Sequence, residues 1–142
     1  MPKANTMYMV LRFVVYGAIG WITEVLWTGM GSLLAGDPRL RSYTYLWMFP
    51  IYGGAVFLEV VHDNIRNWNW FARGLLYMVL IFSIEYTAGW AIREFVGISP
   101  WVYSNRFSID GLIRVDYAPV WFAAGLAFEK IHDFLDKRLV SL

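Results

Sequence analysis

Four long apolar runs, parted by short polar stretches, set the pattern of this 142-residue chain. A helix needs about 20 mostly apolar residues to cross a bilayer. Four segments qualify: Tyr8–Thr28, Thr44–Val61, Trp70–Phe95 and Tyr117–Leu135. The first is predicted to end near the glycines and Pro38 of GMGSLLAGDP. Pro50 is expected to kink the second helix or to sit in its first turns, and Pro119 suits the first turn of the fourth. The stretch Gly97–Asp116 is too polar to span, and its Trp101, Tyr103 and Phe107 predict a cap folded onto the membrane surface. The predicted fold is therefore all-α. It is a single integral membrane four-helix bundle over residues 1–142, with a surface-folded loop between helices 3 and 4. The first run is interrupted by Arg12 and lacks a clear A-x-A site, so it reads as a retained helix rather than a signal peptide.

Composition strengthens that picture. Hydrophobic residues make up 58% of the chain and charged ones 16%, against about 25% charged in soluble domains, so lipid is the expected solvent. A net charge of +1 gives no basis for a nucleic-acid partner, and the absence of cysteine excludes disulfides and thiolate metal sites. Lys3, Arg12, Arg66, Arg73, Lys130, Lys137 and Arg138 fall on the side of the termini and the middle loop; Arg39, Arg41, Arg93, Arg106 and Arg114 fall on the other. This excess places both termini of a multi-pass inner-membrane protein in the cytoplasm. Trp21, Trp27, Trp47, Trp90, Trp101 and Trp121 then lie toward the outer half, as an interfacial belt or as an aromatic-lined vestibule.

Each predicted span holds one glutamate: Glu24, Glu59, Glu85 and Glu129. An acid in a spanning helix costs a few kcal/mol on insertion scales of about +2.5–3.5, which makes it a functional candidate by default. Each has a small residue four positions away (Gly20, Ala55, Gly89, Gly125), so all four are predicted to face into the bundle. The helical rise puts Glu24 and Glu85 roughly 22–24 Å from the inner edge and Glu59 and Glu129 roughly 10 Å from it. Two hairpins result, each with an outer acid followed by an inner one. Leu58-Glu59-Val60-Val61-His62-Asp63 also mirrors Phe128-Glu129-Lys130-Ile131-His132-Asp133, which raises a parallel internal duplication.

The two Glu-x-x-His motifs raise a metal site at Glu59, His62, Glu129 and His132. Bridged metals sit about 3.5–4 Å apart, closer than the two glutamate layers, which leaves a mononuclear site at most. The ordinary alternative is a helix end with local ion pairs among Glu59, Asp63 and Arg66 and between Asp133 and Lys137. No cofactor is predicted. Glu24 and Glu85 either accept hydrogen bonds from neighbouring Tyr or Trp, or serve as proton carriers or cation receptors flanked by aromatic faces. No Walker A loop, G-x-S-x-G, H-E-x-x-H or dinucleotide glycine pattern is present, so an enzyme is the less favoured reading.

Five stretches carry a family resemblance. They are Gly20-Trp21-Ile22-Thr23-Glu24, Pro50-Ile51-Tyr52-Gly53, Glu85-Tyr86-Thr87-Ala88-Gly89-Trp90, Trp101-Val102-Tyr103-Ser104 and Gly111-Leu112-Ile113. In order and spacing the chain resembles the small bacterial membrane proteins of the ABC-transporter type IV permease family, and their vertebrate relatives of the transmembrane protein 229 family. The resemblance implies a four-helix integral membrane fold. Its pattern carries over onto Glu24, Pro50, Tyr52, Gly53, Glu85, Gly89, Trp101, Tyr103, Ser104, Gly111, Trp121 and Glu129, and not onto His62 or His132. Val102 replaces the acid of the usual W-D-Y-S, so a capping role for that acid does not carry over.

The expected function is binding or transport of a lipid-like or cationic amphipathic ligand. Glu24 and Glu85 form its polar centre, with Tyr52, Trp90, Trp101 and Tyr103 as walls and lid. The expected partners are the lipid bilayer, a second copy of the chain, or another subunit of a membrane complex. Two rivals stand beside it: a membrane-embedded lipid-modifying enzyme with paired carboxylates, and an accessory or structural subunit whose glutamates only fix helix register.

Overall fold

A computed structural model describes residues 6–139. The chain is mostly helical, and its contacts divide it into two compact units, Met1–Val60 and Val61–Leu142. Among the described residues two helices, Thr6–Leu34 and Trp70–Val96, are long and apolar enough to cross a membrane.

In the first unit, α1 (Thr6–Leu34) runs past Thr28 and ends within the GMGSLLAGDP stretch expected to close it. A helical glycine costs only about 1 kcal/mol, and Gly29 is useful where it stands: a Cβ there would come 2.6 Å from Ser42 Oγ on the returning chain. The helix closes instead at Gly36, whose φ of +86° suits glycine. The return segment is held by Thr28, which accepts from Tyr43 N (3.1 Å), and by Asp37, which accepts from Arg41 Nε (2.6 Å).

The predicted second helix is broken into three pieces. These are α2 (Met48–Gly53), a 3-10 turn (Gly54–Phe57) and α3 (Leu58–Ile65). Pro50 sits in the first turn of α2, where its missing N–H costs nothing. α2 seats on α1 by interlocking glycines and rings. Gly17 receives Phe49, Gly20 receives the Tyr52 ring, and Gly53 receives Phe13.

In the second unit, α4 (Trp70–Val96) begins at an Asn69 cap, whose side chain accepts from Ala72 N at 2.9 Å, and ends at Gly97 with φ +77°. It packs against α5 (Ala118–Leu139), with Gly74 under Phe122 and Gly125 under Tyr77. Pro119 falls in the first turn of α5, as expected.

The segment between α4 and α5 corrects the all-α expectation. It holds a two-stranded antiparallel ribbon, β1 (Ser108–Ile109) paired with β2 (Ile113–Arg114). Asp110 (φ 52°) and Gly111 (φ 71°) make its turn, with Leu112 N bonded to Ile109 O at 2.9 Å. Two successive left-handed residues match the twist of a tight hairpin, and Asp-Gly is a favoured pair for it.

Candidate functional site

Two polar layers occur in each unit. In one layer of the first, Glu24 is half-buried on α1, one turn beyond Gly20. The absence of a side chain at Gly20 lets Tyr52 lie against α1, with its hydroxyl toward the Glu24 carboxylate. Thr44 approaches the same carboxylate, but Thr44 Oγ and Glu24 Oε2 are both buried without a partner in bonding geometry. Trp21 lies next along α1, edge-on to Phe49.

In the second unit Glu85 is 8% exposed, and the Tyr103 hydroxyl donates to its Oε1 at 2.8 Å. The loop reaches α4 because Gly89, one turn after Glu85, leaves room for it. A Cβ at Gly89 would come 2.9 Å from both Leu112 and Trp101. Trp101 is buried and donates through Nε1 to Leu112 O (2.9 Å), which fixes the loop's own fold. Tyr86 then donates to Asp110 (2.7 Å) and Arg93 to the Asp110 carbonyl (3.3 Å). Beyond Tyr103, rings continue edge-to-face through Tyr117 to Trp121. The Arg114 guanidinium lies 4.3 Å from the Tyr117 ring centroid, so an internal cation already covers that face. Arg114 also holds the Asp116 carboxyl below its usual range through their hydrogen bonds.

Of the predicted ligand residues, the structure pairs Glu24 with Tyr52 and Glu85 with Tyr103, and sets Trp101 beneath the loop. Trp90 is 44% exposed and meets Phe95. Ser104 is exposed.

The other layer, built on Glu59 and Glu129, is where sequence reasoning missed residues. Arg12 donates to Glu59 Oε1 at 2.7 Å, and Tyr16 donates to the same oxygen at 2.5 Å. Arg73 donates to Glu129 Oε1 at 2.7 Å and to Oε2 at 3.2 Å, and Tyr77, one turn along α4, is buried beside them with its hydroxyl 2.9 Å from His62 Nδ1. The two clasps use one pattern: Arg, Tyr and the outer Glu at i, i+4 and i+12 in both long helices, as Arg12, Tyr16, Glu24 and as Arg73, Tyr77, Glu85. This shared spacing marks Arg12 and Arg73, and Tyr16 and Tyr77, as equivalent positions of the two long helices, without naming the acids they meet.

At the end of α3, His62 and His132 are 4% and 2% exposed, and their rings meet edge-to-face at 5.4 Å. His132 Nε2 lies 3.3 Å from Asp63, and His62 Nδ1 lies 2.9 Å from the Tyr77 hydroxyl. Arg66 donates to Asp63 (3.0 Å), as its spacing predicted, and across to Asp133 (2.8 Å). Partial burial works to raise the Asp63 carboxyl, but bonds from Arg66 and His132 outweigh it and hold the group below its usual range. Among the described residues no group of three His, Asp or Glu is arranged to hold a metal ion. Glu129 faces the Arg73 guanidinium, and Arg66 stands among the aspartates.

No solved structure matches the chain. A family profile described as Putative ABC-transporter type IV matches residues 11–142. That match takes in both Arg-Tyr-Glu clasps and both outer acid–tyrosine pairs, and the chain belongs to the Putative ABC-transporter type IV family.

Proposed function

We propose that the protein is a multi-pass integral membrane four-helix bundle of the inner membrane, with both termini in the cytoplasm, that binds or transports a lipid-like or cationic amphipathic ligand. Glu24 and Glu85 are its polar receptors. The observation that supports this reading is the equivalence of the two acids. Each sits in a helix long and apolar enough to cross a membrane, and each is met by a tyrosine hydroxyl, Tyr52 or Tyr103. Glu24 keeps a buried oxygen without a partner, an acceptor that an ammonium or hydroxyl headgroup would satisfy. Carboxylates placed in apolar helices are costly, which favours a role beyond packing. Four helices make a narrow pathway, so transport would engage a homodimer.

Native mass spectrometry of the gently solubilised protein tests the reading. A retained lipid or organic cation, lost in Glu24→Gln and Glu85→Gln while the fold persists, is the expected result. Equal retention in both variants removes the outer acids from the function. A ligand-free protein that co-purifies with another subunit at fixed stoichiometry would make it an accessory component instead.

A further inference from the structure

Glu85 and Gly89 fix how far the segment between α4 and α5 reaches along α4. A spanning stretch needs about 20 residues, and any such stretch of the 27-residue α4 contains Ser83, Glu85 and Gly89. Tyr103 donates to Glu85, while Trp101 and Leu112 pack over Gly89. Under the reading of α4 as a membrane-spanning helix, on which this inference rests, Trp101, Tyr103 and Leu112 stand at the depth of the hydrocarbon. The segment is then re-entrant, deeper than a cap on the membrane surface.

Non-helical backbone at that depth must be buried in protein or line water, because lipid offers it no hydrogen-bond partner. Part of the segment meets that demand internally. Tyr103 N donates to Gly111 O and Leu112 N to Ile109 O, both at 2.9 Å, and the Trp101 indole donates to Leu112 O. Ser104 and Arg106 differ. Their backbone N–H groups have no acceptor among the described residues, and both side chains are exposed. The Arg106 guanidinium lies 4.6 Å from the Phe107 ring centroid, and among the described residues no carboxylate pairs with it. Asp110, which accepts from Tyr86, is exposed as well. Exposed charges and open N–H groups suit water, and acyl chains would leave them unsatisfied.

Another face of α4 has the opposite character at the same depth. Leu75, Val79, Ser83, Thr87 and Trp90 form an exposed stripe. Its two hydroxyls donate back to their own helix, Ser83 to Val79 O at 2.8 Å and Thr87 to Ser83 O at 2.7 Å. That stripe asks nothing of water and suits lipid.

We propose that Ser104 and Arg106 line a water-filled recess that runs from one face of the membrane to the level of Glu85. Tyr103, bonded to Glu85, forms its floor. A hydrated headgroup thus approaches this carboxylate from water, not from the acyl chains.

The chain has no cysteine, so single introduced thiols report water directly. Ser104→Cys and Ser83→Cys each replace one exposed hydroxyl, near one depth but on different surfaces. The full-length variants, in membranes opened to both faces, are treated with an anionic, membrane-impermeant methanethiosulfonate. Denatured samples set the scale of full labelling. Because the thiolate is the reacting form and lipid suppresses it, Ser104→Cys should be modified at least about tenfold faster than Ser83→Cys. Arg106→Cys and Thr87→Cys repeat the comparison should either first variant fail to insert. Slow modification on both surfaces overturns the recess and leaves α4 in lipid. Rapid modification of Ser83→Cys, whatever Ser104→Cys does, takes α4 out of lipid and removes the recess with it.

Discussion

Arg73 Nε lies 2.7 Å from Glu129 Oε1, with the two side chains 20% and 6% exposed, and the same Arg-to-Glu distance recurs between Arg12 and Glu59. Removing one member of such a pair leaves a buried charge without its counter-ion. Arg73→Met is expected to cost about 3–5 kcal/mol. Arg73→Met combined with Glu129→Leu should recover most of that loss, because an apolar pair needs no desolvation. Thermal unfolding in detergent reads both. A single variant as stable as the parent would show that the clasp contributes nothing.

Helix approach within each unit depends on glycines at defined positions. A Cβ at Gly125 would run into Tyr77, and one at Gly20 into Tyr52. Gly125→Ala and Gly20→Ala should each destabilise by about 1–3 kcal/mol through overpacking. Gly31, inside α1 with nothing within 4 Å, is the control. Gly31→Ala should stabilise by about 0.5–1 kcal/mol through helix propensity alone. The opposite signs separate packing from a general intolerance of larger side chains.

The loop after α4 is held down partly by one hydroxyl. Tyr103→Phe removes the 2.8 Å bond to Glu85 and keeps the ring against Tyr117. A lost bond to a buried carboxylate is worth about 1.5–3 kcal/mol. Amide hydrogen exchange in residues 101–112 should speed up, while exchange in the middle of α4 stays as it was. Unchanged loop exchange would mean that Trp101 and Leu112 suffice to seat it.

Asp63 gives a pH prediction with a definite sign. Its carboxyl is held below the unfolded value, so the stability it contributes is present above that value and is lost as pH falls through the lowered folded one. Asp63→Asn should flatten this part of the acid limb of the thermal-midpoint profile. Because the side chain is 48% exposed, the effect should shrink with added salt. An acid limb identical to the parent's would assign the loss to other carboxylates.

Periodicity and composition by themselves located the first, third and fourth helical runs of this protein. The third run was predicted as Trp70–Phe95 and is Trp70–Val96, and Pro50 and Pro119 fall in first turns as expected. These features follow from local rules: apolar length, a donorless proline, an N-terminal cap. Small residues four positions from Glu24, Glu85 and Glu129 were also legible, because a helix repeats its faces every turn. Tertiary structure decided what those faces meet. Nothing in the local sequence sends Arg12 to Glu59 or Tyr103 to Glu85, which lie 47 and 18 positions apart. Such partners are chosen by how the chain returns, and that depends on where glycines admit a ring. The break at Gly53–Gly54 was hidden for the same reason, since continuous apolar character cannot distinguish one helix from an α, 3-10, α succession. The Asp110-Gly111 pair favours a tight turn by its residue types, inside a stretch expected only as a cap on the membrane surface. Its meaning came only with Trp101 and Leu112 packed over Gly89, which fold the hairpin back onto α4 and carry Tyr103 to its carboxylate.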